Sequence, residues 1–197
     1  MRAYSIIKIT FILWGLFISV ISTACINNFA VQELNNKAKE FMDKGDYVSA
    51  IERLKSSVDL DGSVLETQYN LAVAYTKAED YENAVKTYND VLKLNSDFAD
   101  AYYSRAVCEE NLAKDIISQD ILVNDDGSLE KAEPVNDEDA VKNKNLSDKS
   151  KEVFKGLVNN AISDYNTYLE KSASAADKTE VEESIKALED LLKTHAD

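Results

Sequence analysis

Between residues 31 and 111, apolar and small side chains recur at three- and four-residue spacings, the pattern of helices with one buried face. Leu71, Ala72 and Tyr75 share one face of a first helix, and Ala84, Val85, Tyr88 and Leu92 share one face of a second. Gly45-Asp46 and Glu79-Asp80 sit where a first helix must turn into a second. Leu60-Asp61-Gly62 and Leu94-Asn95-Ser96 are the polar stops that close each pair. The whole pattern then repeats. Ala38, Ala72 and Ala106 stand 34 residues apart, as do Asp46 and Asp80, Tyr47 and Tyr81, Ala50 and Ala84, Leu54 and Tyr88, and Leu60 and Leu94. A fixed period of this length predicts stacked helix pairs that share a continuous core, with units over 31–64, 65–98 and 99–171.

The third unit is interrupted. Its first helix starts normally with Tyr102, Ala106 and Val107, but the second-helix pattern resumes only at Ala161, Ile162, Tyr165 and Leu169. An insertion of about 43 residues, over roughly 113–155, therefore separates the two helices. It is polar and low in aromatics, so a functional loop and a disordered spacer both remain open. Beyond a linker at 171–177, a last helix is expected over about 179–195. Thr179 and Glu182 suit a capping box. Val181, Ile185, Leu188 and Leu191 form one apolar stripe opposite a charged face, as a helix closing the end of a stack requires.

These columns closely resemble the tetratricopeptide repeat: Leu34, Ala38, Phe41, Gly45-Asp46-Tyr47, Ala50 and Leu54 in one unit, and Leu71-Ala72, Tyr75, Asp80-Tyr81, Ala84 and Tyr88 in the next. Gln68, Ser57, Val91, Gly62 and Ser96 depart mildly from the family pattern. The resemblance implies an all-α helical solenoid of three helix-turn-helix repeats plus a capping helix. It also implies a concave groove lined by the first helices. Transferred to this chain, the partner-binding candidates are Asn35, Lys39 and Met42, then Tyr69, Val73 and Thr76, then Tyr103, Val107 and Glu110. Tyrosines beside Met and Val suit an extended peptide or a partner helix. Burial of part of the groove by the insertion or the last helix is the alternative. The family's carboxylate clamp needs basic residues where Asp100 and Ser104 stand, so that role is not expected.

Residues 1–24 carry Arg2 and Lys8, an apolar run from Ile9 to Ile21, and then Ser22-Thr23-Ala24. This is the layout of a secretory signal peptide, and the run is short for a membrane span. Thr23-Ala24-Cys25 resembles a bacterial lipoprotein signal, although Ser22 stands where an aliphatic residue is usual. That resemblance implies a covalent lipid on Cys25, a short tether over 25–30, and a protein held at the cell envelope by several acyl chains. Ile26 is not the Asp that retains some lipoproteins at the inner membrane, which points to the outer membrane, facing the periplasm.

Composition narrows the chemistry. With 22 basic against 36 acidic residues, the net charge of −14 argues against nucleic acid as a partner. The acidity reads as a solvated surface or as a face for a basic partner. A single proline and five glycines favour helix throughout. The one histidine, His195, lies two residues from the end, so a Ser–His or Cys–His catalytic arrangement is not expected. Cys108 falls in an interior column and reads as a small core residue. No cysteine and histidine cluster has metal-ligand spacing. Asn124, Asp126, Gly127, Ser128, Glu130 and Glu133 mimic a calcium loop, but Leu122 holds the position that needs a carboxylate, and an acidic turn is expected instead. No catalytic residue, metal or diffusible cofactor is expected. The preferred reading is a membrane-tethered adaptor for a protein or peptide, and the alternative is a small-molecule or hydrophobic-ligand carrier subunit of an envelope transport system.

Overall fold

The 34-residue period of the sequence reappears as helix boundaries. The computed structural model describes residues 28–132, 146–172 and 178–195. Helix α1 spans 28–43 and α2 Tyr47–Leu60; α3 spans Leu65–Lys77 and α4 Tyr81–Leu94. The chain divides into two compact units, with the boundary after Ala74, inside α3.

In the first unit, small residues set how closely helices approach. Ala38, Ala50 and Ala72 are at most 1 % exposed, and Val31, Leu54 and Leu71 fill the space around them. Asp46 caps α2 by accepting from the Ser49 amide at 3.1 Å. Gly45 takes a φ of +75°, the left-handed conformation that ends α1. Two long-range hydrogen bonds, Asn35 Nδ2 to Thr67 Oγ1 at 2.7 Å and Ser57 Oγ to the Val31 carbonyl at 3.5 Å, and a local one, Gln68 Nε2 to the Gly62 carbonyl at 3.1 Å, tie the unit together.

The second unit repeats the same devices. Asp80 caps α4 through the Asn83 amide, and Ala84, Ala106 and Ala161 are fully buried. The period marks position but not burial at every column: Leu94 ends α4 45 % exposed. Helix α5 spans Ala99–Ser118, α6 spans Asp148–Lys171, and α7 spans Lys178–His195. Helix α7 begins one residue before Thr179, so Thr179 lies in its first turn and not at the cap.

The described residues of the insertion are mostly in helix or strand. They prolong α5 to Ser118, prolong α6 upstream to Asp148, and between them fold the antiparallel hairpin β1 (Ile121–Val123) and β2 (Leu129–Lys131). Residues 133–145 of the insertion lie outside the described residues, as do the N-terminal segment with Cys25 and the linker at 173–177. Inserted residues belong to the core: Ala113, Ile116 and Phe154 are buried with Val158, Tyr165, Val181 and Leu188. The reason is periodic. Phe154, Val158, Ala161 and Tyr165 continue one helical face, so the apolar stripe of α6 starts two turns before the repeat pattern resumes.

Candidate partner-binding site

The nine groove candidates meet different environments. In the first unit, Lys39 is exposed, and Met42, Tyr69 and Val73 are half-buried. Asn35 is half-buried and held by its bond to Thr67. In the second unit the equivalent residues are engaged internally. The Tyr103 ring lies 5.8 Å from that of Tyr165 and 5.2 Å from that of Tyr168. Val107 packs on the core. Glu110 accepts from the Tyr165 hydroxyl at 2.8 Å and pairs with Lys114 at 2.6 Å. Thr76 Oγ1 lies 3.3 Å from Cys108 Sγ and 3.4 Å from the Tyr88 hydroxyl. Burial, followed by the bond to Glu110, raises the Tyr165 phenol well above its ordinary range. The α5 face is therefore largely committed to α6, while the α1–α3 face of the first unit presents Lys39 with the partly open Met42 and Val73.

A polar cluster that the repeat pattern did not signal lies between α4, α5 and α6. Arg105 reaches both carboxylate oxygens of Asp164, at 2.6 and 2.7 Å, and also donates to Asn89. Glu109 sits beside this pair, 4 % exposed, with Oε2 lacking a hydrogen-bond partner. Burial pushes its carboxyl up to about 8, with Asp164 adding to the rise and Arg105 and Asn160 opposing it. Arg105 and Asp164 occur 59 residues apart across the insertion, so nothing local in the sequence could pair them.

A cleft of about 330 Å³ lies between the inserted hairpin and the α3–α4 turn. Leu112, Ile121, Leu129 and Tyr81 give it apolar walls, and Glu79, Asp80, Glu82 and Glu130 stand around it. The calcium-like stretch is the turn of this hairpin. Asp126 accepts from the Ser128 amide and hydroxyl at 2.9 and 2.7 Å, which closes the turn with a side chain. Among the described residues, no group of three or more acidic, cysteine or histidine side chains could hold a metal ion. Cys108 is buried, and burial pushes its thiol up to about 11, the reverse of what a nucleophilic cysteine needs.

The family model for the tetratricopeptide repeat matches residues 74–108, from the end of α3 through α4 into α5. Three solved tetratricopeptide domains are similar over four-fifths of the chain. The first such domain of Spaghetti (RPAP3), bound to the HSP90 peptide SRMEEVD, is 17 % identical, with 83 % of this chain and 93 % of that one covered and a TM-score of 0.55. The fold is that of a tetratricopeptide-repeat domain. The second such domain of human RPAP3, in complex with the HSP70 peptide SGPTIEEVD, gives 18 %, 81 %, 98 % and 0.54. The tetratricopeptide domain of Arabidopsis OM64 gives 12 %, 82 %, 98 % and 0.56. No curated protein matches the chain. Asp80, Ala84 and Ala106 lie within the residues that the repeat model matches, whereas the hairpin lies outside them.

Proposed function

We propose that this chain is a non-enzymatic interaction adaptor that holds an extended peptide or a partner helix on the α1–α3 face of its first unit. The observation that carries this reading is the contrast between repeats. Lys39 is exposed, whereas Tyr103 and Glu110 on the matching face of α5 are half-buried and engaged by Tyr165 and Tyr168 of α6; Met42 and Val73 are half-buried as well. Peptide binding by the RPAP3 domains supports a peptide-sized partner. The partner itself differs in chemistry. With a net charge of −14, and with Asp100 and Ser104 in place of clamp cations, an acidic peptide tail ending in EEVD would be repelled. A neutral or basic, partly apolar segment fits. We further propose a lipid on Cys25, which would tether the domain at the bacterial envelope, on the outer membrane facing the periplasm.

Photo-crosslinking tests the face directly. A crosslinker at position 39 or 73 is expected to capture one discrete protein, and a crosslinker at Lys93 is not. Equal labelling from all three positions would count against a defined site. Capture of small molecules alone would favour the ligand-carrier reading.

A further inference from the structure

The third repeat puts charge where the earlier ones put apolar bulk. Phe41 and Tyr75 share one column of the repeat, and the next member of that column is Glu109. In another column Arg105 follows Leu71. Both charged residues lie on α5, one turn apart and so on the same face, and both reach α6: Arg105 through Asp164, and Glu109 through Asn160.

The cluster holds two carboxyl groups and one cation. Asp164 is 5 % exposed and Glu109 4 %. Arg105 commits its fork to Asp164, and Glu109 Oε2 finds no hydrogen-bond partner among the described residues. The other neighbours bring no charge. Asn89 of α4 accepts from Arg105. Strand β1, which also packs on α5, carries only Ile121, Leu122 and Val123. Cys108 is buried, and its thiol is pushed up to about 11, so it stays neutral below that. A protonated Glu109 leaves the fork undisturbed. An ionised Glu109 would set two buried carboxylates against a single guanidinium, with one of them always short of a partner. A buried unpaired charge is costly, and admitting water relieves it. The displacement of the Glu109 carboxyl up to about 8, from burial first and Asp164 second, agrees with this conflict.

We propose that Glu109, Arg105 and Asp164 form a proton-controlled latch on the seam between α5 and α6. With Glu109 protonated, Arg105 pairs with Asp164 alone and the seam is shut. With Glu109 ionised, the two carboxylates divide one guanidinium, and the seam opens locally to water while the first unit stays closed. The seam is also where Tyr103 meets Tyr165 and Tyr168, so the latch governs how firmly that face of α5 is held.

Hydrogen exchange of the full chain, read by mass spectrometry at about pH 6 and about pH 9 and corrected for the intrinsic effect of pH on exchange, tests the latch. Between the two conditions, wild-type peptides from α5 and α6 are expected to lose protection at least about tenfold, and peptides from α1 and α2 to keep theirs. Glu109→Gln is neutral throughout and should show no such loss. Asp164→Asn leaves one carboxylate for Arg105 and should show none either. Circular dichroism confirms that both variants stay folded. Equal loss of protection in both units would overturn the proposal by replacing local opening with general weakening. A loss in either variant as large as that of the wild type, or no loss in the wild type, would overturn it as well.

Discussion

Arg105 grips Asp164 with two parallel bonds, Nε to Oδ2 at 2.6 Å and Nη2 to Oδ1 at 2.7 Å. This fork joins α5 to α6 across the whole insertion, and both side chains are mostly buried. A buried pair loses most when one partner goes, because the other charge is left unpaired. Arg105→Ala is expected to destabilise the fold by about 3 kcal/mol. The double change Arg105→Met/Asp164→Leu should cost clearly less than either single truncation. Urea unfolding of the three variants checks this, and additive losses would contradict it.

Glu109, next to that fork, gives a pH dependence of known sign. Its carboxyl rises from an ordinary 4.5 to about 8 in the folded protein, through burial first and Asp164 second. Between those values the folded state keeps a proton that the unfolded state has released. The contribution of Glu109 is therefore fully present below 4.5 and is lost as pH rises through about 8. Glu109→Gln fixes the neutral form. The variant should match the wild type in mildly acid solution and exceed it in stability at about pH 8, as read from unfolding midpoints at each pH. A constant offset at all pH values would show that Glu109 does not carry the effect.

Glu79 and Gly45 occupy the same repeat position, and both take left-handed backbone, with φ of 58° and 75°. Glycine adopts this conformation without a steric penalty, and an L side chain does not. Glu79→Gly is therefore expected to stabilise the protein by about 0.5–1 kcal/mol, the relief being offset partly by a more flexible unfolded chain. Gly45→Ala should do the reverse by about 1 kcal/mol, since a Cβ there meets nothing within 4 Å and torsion alone opposes it. Thermal unfolding of both variants decides the matter.

These three sites show which features the sequence made legible. The fold was readable because its determinants are periodic. A buried alanine at each helix crossing and an aspartate at each turn recur at a constant spacing, and the helix boundaries follow. The hairpin was hidden for the opposite reason. Its strands are three residues long, too short for alternation to stand out, and its turn is closed by Asp126, a residue equally at home in a loop. The prolonged helices did leave a signal in the spacing of Phe154, Val158 and Ala161, masked by the lysines and serines between them. The groove was legible as a set of positions but not as a surface. Whether Tyr103 is open depends on Tyr165 and Tyr168, more than 60 residues downstream, and no local pattern reports that contact.

Cys25 carries the prediction on which the cellular role turns. Its placement after Ser22-Thr23-Ala24 suits both lipoprotein processing and ordinary signal cleavage, and the two differ only in what happens to the sulfur. Lipidation would make the chain partition with membranes through several acyl chains, where a single chain binds only marginally. Expressed in a bacterial host with an alkyne-tagged palmitate, the wild type is expected to carry label and to sediment with membranes. Cys25→Ser should lose the label and move to the soluble fraction. The helical fold should be unchanged, because the core of each unit is built from residues well downstream of Cys25. Membrane sedimentation of Cys25→Ser without label would instead point to the apolar run at 9–21 as an uncleaved anchor, and the domain would then be held by a helix and not by a lipid.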